Sequence, residues 1–197
     1  MTEFEKKEFN KTEDVFFKNA RYSECSFKGI TPGQRVFSDI SFVDCTFFKC
    51  DFANTLFINC YVKAVKFSHC KLMGIDWSGF NYSAFFNENL SFDECILDYG
   101  CFIGLKARKL TMKNCMCKEA DFENADLQKS NFFGTDFAGS RFVNTDLQEA
   151  SFLNAKNYSI NPVVNKIKKG VFSLPDVYNL LDCLDIIIRP RIDGELK

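Results

Sequence analysis

The chain has 197 residues, 24 of them Phe, and a formal net charge of −1. That balance gives the chain as a whole no attraction for nucleic acid or an anionic membrane, and no apolar run approaches the roughly 18 residues needed to span a bilayer. The mixed-charge start from Met1 to Glu8 lacks the apolar core of a secretion signal, so one cytoplasmic domain of ordinary size is the expectation.

Residues 1–15 show no hydrophobic register and read as a separate N-terminal segment, a frayed start or a capping strand. From Phe17 to Phe152 every fifth residue is large and apolar in one unbroken frame: 28 positions, of which fifteen are Phe and four Leu. Only Pro32, Asn87, Ala107 and Cys117 fall short. Two residues before each centre lies a smaller class, such as Ala20, Cys25, Cys45, Ala120, Ser130, Thr135 and Ala150. A period of five is neither the 3.6 of a helix nor the 2.0 of a strand. One unit cannot bury its own apolar pair, so successive units must wind into coils that stack through backbone hydrogen bonds about 4.8 Å apart.

Three stretches weaken the pattern. Thr31-Pro32-Gly33-Gln34 reads as a turn, and 82–90 and 99–117 read as bulged or distorted coils. Phe16, Val36, Leu56, Ile96 and Met116 are apolar in the outward place before the centre and lie at multiples of twenty, with Asp76 the exception. With Ile58 they suggest an exposed apolar stripe, a contact surface unless the N-terminal segment covers it. Cys25 and Cys45, Cys50 and Cys70, and Cys95 and Cys115 also pair at twenty. Seven of the ten cysteines fill the small inward slot, where a thiol packs as a small hydrophobe.

After Ala155 the frame stops. Asn161-Pro162 reads as a helix start with Gly170 as its end, and Ser173-Leu174-Pro175 opens a second helix. Val177, Leu180, Leu181 and Leu184 have helical spacing and are more apolar than a small capping helix needs, which marks them for dimerisation. Ile186 to Ile188 reads as a short strand, and the tail from Arg191 as disordered.

No catalytic arrangement emerges. The only histidine, His69, falls in an outward slot, the glycines form no phosphate-cradling loop, and Phe fills the inward space; no cofactor or metal is expected. Charge is uneven. Glu119, Asp121, Glu123, Asp126, Asp136, Asp146 and Glu149 face only Lys129 and Arg141 between 119 and 149, seven acids against two bases. Over about 7 Å of rod that net charge is similar to the roughly four charges carried by the same length of duplex DNA. Each Asp can equally be structural, bonding the backbone of its own turn. Lys106, Arg108, Lys109, Lys113 and Lys118 form a neighbouring basic stretch.

The units Ala120-Asp121-Phe122, Ala125-Asp126-Leu127 and Thr145-Asp146-Leu147 resemble the consensus of the pentapeptide-repeat family. The resemblance implies an all-β, right-handed quadrilateral β-helix over 16–157, four units per coil, followed by a C-terminal helix/strand module at 158–197. The end of the chain (Ser151 to Tyr158, Asn161, Ile167-Lys168, Phe172 to Pro175, Leu180-Leu181, Leu184 to Ile186) and the stretches Leu72 to Trp77 and Leu90 to Leu97 resemble the topoisomerase-protecting group. That group includes the Qnr quinolone-resistance proteins and, closest in appearance, the albicidin-resistance proteins. This likeness implies a homodimer joined at the C-terminal module and a DNA-shaped rod that binds DNA gyrase, with topoisomerase IV a further candidate. It implies no direct binding of nucleic acid. The seven acids of 119–149 are the expected gyrase-binding surface.

Overall fold

A computed structural model describes residues 1–80 and 90–189. The chain is an all-β, right-handed solenoid whose coils stack by parallel pairing. Ser26–Lys28 pairs with Thr46–Phe48, and that strand with Lys66–Ser68, each residue meeting the one twenty further on. Four five-residue faces therefore complete a coil. Along one face, eight successive pairings run from Glu8 to Val171, a rod of about 38 Å.

The corner of each unit explains the period. The residue two places after the centre turns the chain with positive φ, as at Asn54, Asn59, Glu94, Asn114, Asn124, Asn144 and Asn154. Asn tolerates this left-handed conformation, and glycine takes it at Gly74, Gly134 and Gly139. The side chain before the centre closes the same turn. Asp121 Oδ1 accepts from the Glu123 amide at 2.9 Å and Asp136 Oδ1 from the Ala138 amide at 3.1 Å.

Centres stack ring on ring. Phe27, Phe47, Phe67 and Phe92 form one column with centroids 4.6–5.4 Å apart, and Phe102, Phe122 and Phe142 another at 4.7–4.8 Å. All seven expected inward cysteines are buried and free. Five of these thiols (Cys25, Cys45, Cys50, Cys60 and Cys70) reach back to the coil before, as in Cys45 Sγ to the Tyr22 carbonyl at 3.4 Å and Cys60 Sγ to that of Phe37 at 3.5 Å. Thr135, Ser140 and Thr145 make the same reach with hydroxyls at 2.6–3.0 Å. Thiol and hydroxyl do one job in this slot, satisfying a carbonyl that the coil ladder leaves inward.

Four expectations change. The stretch 1–15 carries register after all: Thr2–Glu5 pairs with Lys18–Ser23 and Glu8–Phe9 with Ser26–Lys28, at a spacing of eighteen. Phe4 stacks on Tyr22 and Phe9 on Phe27. Residues 161–170 form no helix; Lys166 bridges Asp146 and Val171-Phe172 pairs with Ser151-Phe152, so a final coil occupies this stretch. The stretch 99–117 is regular, with Phe102, Met112 and Cys117 fully enclosed. Ile186 to Ile188 is exposed chain beyond a 3-10 helix, Asp176–Leu184, and not a strand.

The fourth coil departs from twenty. Lys66 pairs with Ser91, Lys71 with Ile96 and Asp76 with Cys101, each twenty-five apart. One whole unit is inserted there, and the frame of five conceals it. The expected bulge at 82–90 lies, but for Leu90, outside the described residues, as does the tail from Arg191. The insertion lines up Cys50, Cys70, Cys95 and Cys115 in one column, where the twenty-residue spacing suggested two separate pairs.

Candidate interaction surface

The described core is filled by side chains; an interior gap of about 10 Å³, lined by Phe47, Phe52, Phe67, Trp77 and their neighbours, is wholly apolar. What the rod offers is its four faces and two ends. Numbered from the unit centred on Phe17, the first face carries Asp121 and Glu123, the second Asp126, Asp146 and Glu149, and the fourth Glu119 and Asp136. The acids that the sequence groups together are thus divided over three faces.

Six of the seven are also ion-paired along the stack. Arg141 reaches both Asp121 and Glu123. Arg108 meets Asp126 at 2.8 Å, Lys118 meets Asp136 at 3.5 Å, Lys129 meets Glu149 at 3.9 Å and Lys166 meets Asp146 at 3.6 Å. These partners are exposed, so each pair adds little stability, but each reduces the anionic field outside. Asp136 shows the mixed environment. Burial pushes its carboxyl up, while bonds from Asn157 and the Ala138 amide and the charge of Lys118 outweigh that and hold it below the usual value. Glu123, Gln128, Ala138 and Gln148 amides donate to the Asp before them, so the structural role of these carboxylates is present as well.

The register sorts charge in a way the linear sequence does not display. On the second face ten basic residues (Lys6, Arg21, Lys63, Lys106, Arg108, Lys109, Lys129, Lys166, Lys168, Lys169) stand against seven acidic (Glu3, Glu5, Glu24, Asp44, Asp126, Asp146, Glu149), a net of +3 among the described residues. With Lys7 and Glu8 of the first coil, the third face has five basic and three acidic, net +2. The first and fourth together have six basic against eight acidic, net −2. The rod is electrically two-sided. Lys106, Arg108 and Lys109 were visible as a basic run, but their alignment with Lys166, Lys168 and Lys169 needs the stacking.

The expected apolar stripe is broken by the inserted unit. Phe16, Val36, Leu56 and Ile58 share the first face, where Leu56 is 61% and Ile58 55% exposed. Ile96 and Met116 stand instead on the fourth face, between Lys71 and Asp136. Phe4 of the N-terminal segment meets Phe16 of this stripe at 5.3 Å. His69 lies outward on the third face with Nδ1 3.1 Å from Glu94.

At the C-terminal end the four leucine/valine candidates separate. Leu180 is buried and Val177 packs on the core, closing the last coil beside Phe172 and Tyr158. Leu181 is half-buried and Leu184 is exposed. Leu174, Tyr178, Leu184 and Ile186 to Ile188 leave apolar side chains in solvent, Ile187 at 83%. Among the described residues no helix is long and apolar enough to cross a membrane, and no cluster of ligating side chains suits a metal ion.

The model of the pentapeptide-repeat family matches residues 113–156 in eight copies. No curated protein matches the chain. Among solved structures, full-length QnrB1, described as a plasmid-mediated fluoroquinolone resistance protein, superposes with a TM-score of 0.54 at 15% identity. The match covers 93% of this chain and all of that one. HetL, a pentapeptide-repeat protein involved in heterocyst differentiation regulation from the cyanobacterium Nostoc, gives a TM-score of 0.39 at 14% identity, covering 86% of this chain and 82% of that one. Residues 113–156 are pentapeptide repeats, and the chain as a whole has the fold of the pentapeptide-repeat proteins.

Proposed function

We propose that the protein is a non-enzymatic, cytoplasmic binding rod for a type II topoisomerase. DNA gyrase is the first candidate and topoisomerase IV the second, protected against inhibitors such as albicidin or quinolones. The observation that carries the reading is the superposition over the full length of QnrB1, a fluoroquinolone resistance protein. A solid rod with a filled core supports binding by shape, and the net charge of −2 on the first and fourth faces supports mimicry of DNA toward a basic enzyme surface. On this reading Glu119, Asp121, Glu123 and Asp136 contribute directly, while Asp126, Asp146 and Glu149, set among the lysines of the second face, contribute less. The protein acts as a homodimer joined through the apolar C-terminal end, with Leu181 and Leu184 in the contact and Val177 and Leu180 holding the helix against the rod.

The test is gyrase supercoiling with and without albicidin or ciprofloxacin, titrated with the protein. Protection is expected, and it weakens with salt because exposed charges are screened over roughly 8 Å at physiological ionic strength. Asp121→Asn with Asp136→Asn keeps the turn bonds and should lose most of the effect; Asp126→Asn with Asp146→Asn should lose less. Full protection by the first pair would refute charge mimicry, and no effect of the wild-type protein on either drug would refute the topoisomerase reading.

A further inference from the structure

The second face is banded along the rod. An outer basic row holds Lys106 and Lys109 with Arg108, and another, three coils on, holds Lys168 and Lys169 with Lys166. Between them lie two rows led by Asp126 and Asp146, whose carboxylates are taken up by Arg108, Lys166 and Gln128. Among the described residues, no carboxylate lies within ion-pair distance of Lys106, Lys109, Lys168 or Lys169, and all four are exposed. Three coil spacings put the outer rows about 14 Å apart, and each row runs across the rod axis.

We propose that this face binds duplex nucleic acid, with the rod lying across a groove and each basic row following one phosphate backbone. The major groove of a duplex is about 12 Å wide, close to the separation of the rows. The half-buried acids in the middle then face the groove, where base edges present amino donors and no phosphate. An acidic peptide fits this banding poorly. Its carboxylates form one continuous line, and some would be pressed against Asp146 and its row. The net charge of −1 argued against nucleic acid for the chain as a whole; the coil register overrides that by collecting cations on one side. The two-sided rod could thus turn its acidic faces to a protein and its basic face to DNA, but the proposal stands on the second face alone.

Fluorescence anisotropy of a labelled 20-base-pair duplex, read from about 25 to 200 mM salt, tests it without any topoisomerase. Four phosphate contacts predict a slope of log K against log salt of about −3.6. Lys106→Glu with Lys109→Glu, and separately Lys168→Glu with Lys169→Glu, should each weaken binding at least tenfold and reduce the slope by about 1.8. Lys156→Glu on the fourth face should stay within twofold. Absence of binding at the lowest salt, or unchanged affinity in both double variants, overturns the proposal. Displacement of the duplex by polyglutamate at equal charge concentration also overturns it, and assigns the face to acidic proteins. Loss of gyrase protection with duplex binding intact would sink the proposed function alone.

Discussion

Replacing Phe122 by Ala tests the packing of the rod at its most demanding point. The ring has no exposed surface. It is stacked between Phe102 at 4.7 Å and Phe142 at 4.8 Å, with an edge contact to Phe137 at 5.9 Å. Truncating a buried Phe costs about 3–5 kcal/mol, and the amount depends on how far the site can collapse. Here the neighbours cannot move in, because the coils above and below are fixed by backbone bonds: Asp121 N to Gly100 O at 3.0 Å and Phe122 N to Arg141 O at 2.9 Å. Two stacked rings also lose their partner, each contact adding roughly 0.5–1.5 kcal/mol beyond burial. The upper part of the range, about 4–5 kcal/mol, is therefore expected. Phe133→Ala is the control, since its side chain points outward and is 39% exposed; about 1 kcal/mol is expected there. Urea unfolding followed by far-UV circular dichroism and by the fluorescence of the single tryptophan, Trp77, reads both. Because each coil touches only its neighbours, Phe122→Ala should lower the circular-dichroism midpoint more than that of Trp77, two coils away. A loss below about 2 kcal/mol, or equal losses for the two variants, would show that the column is not the main support of these coils.

Burial pushes the Cys45 thiol from 9.0 up to about 12, and the Tyr22 and Tyr158 hydroxyls from 10.0 up to about 12. The folded state keeps protons that the unfolded chain releases, so stability is full below about pH 9 and declines as pH rises toward 12; a melting temperature unchanged from pH 8 to 11 would contradict this. Gly139 has φ +72, and a Cβ there would collide with the Glu119 carboxylate. Gly139→Ala should cost about 1–3 kcal/mol, and Glu119→Ala in the same chain should recover only the steric part; full recovery in the melt would mean that backbone strain is absent. Leu184→Lys with Ile187→Lys should convert a dimer to a monomer by light scattering while leaving the melt within about 1 kcal/mol, and a variant that keeps the dimer mass would rule out this end as the contact.

The coil architecture was legible because each inward pair repeats at five, and Phe47, Phe122 and Phe132 are buried where the count put them. The inserted unit at the fourth coil was not, since a register of five cannot detect an addition of five. The first coil escaped notice because Phe4 and Phe9 meet Tyr22 and Phe27 at a spacing of eighteen, outside the main frame. Asn161-Pro162 and Gly170 gave helix signals, yet the bridge from Lys166 to Asp146 draws this stretch into the solenoid, where coil-to-coil bonds override local propensity. For the surface, composition located the acids but not their partners. Arg141 is adjacent to Asp121 and Glu123 only through the stack, and the flanking of Asp126 and Asp146 by Arg108 and Lys166 is equally a product of coil spacing.

The twenty-five-residue coil has a bearing on how such a chain can change over generations. An insertion of one unit leaves every centre a centre and every corner a corner, so the hydrophobic interior tolerates it. Outside, the same event decides which residues become vertical neighbours: Lys71 now meets Ile96 where an uninterrupted count would give Ser91. A fifteen-nucleotide duplication or deletion could therefore reshuffle an entire recognition surface in one step while the scaffold beneath it keeps its packing.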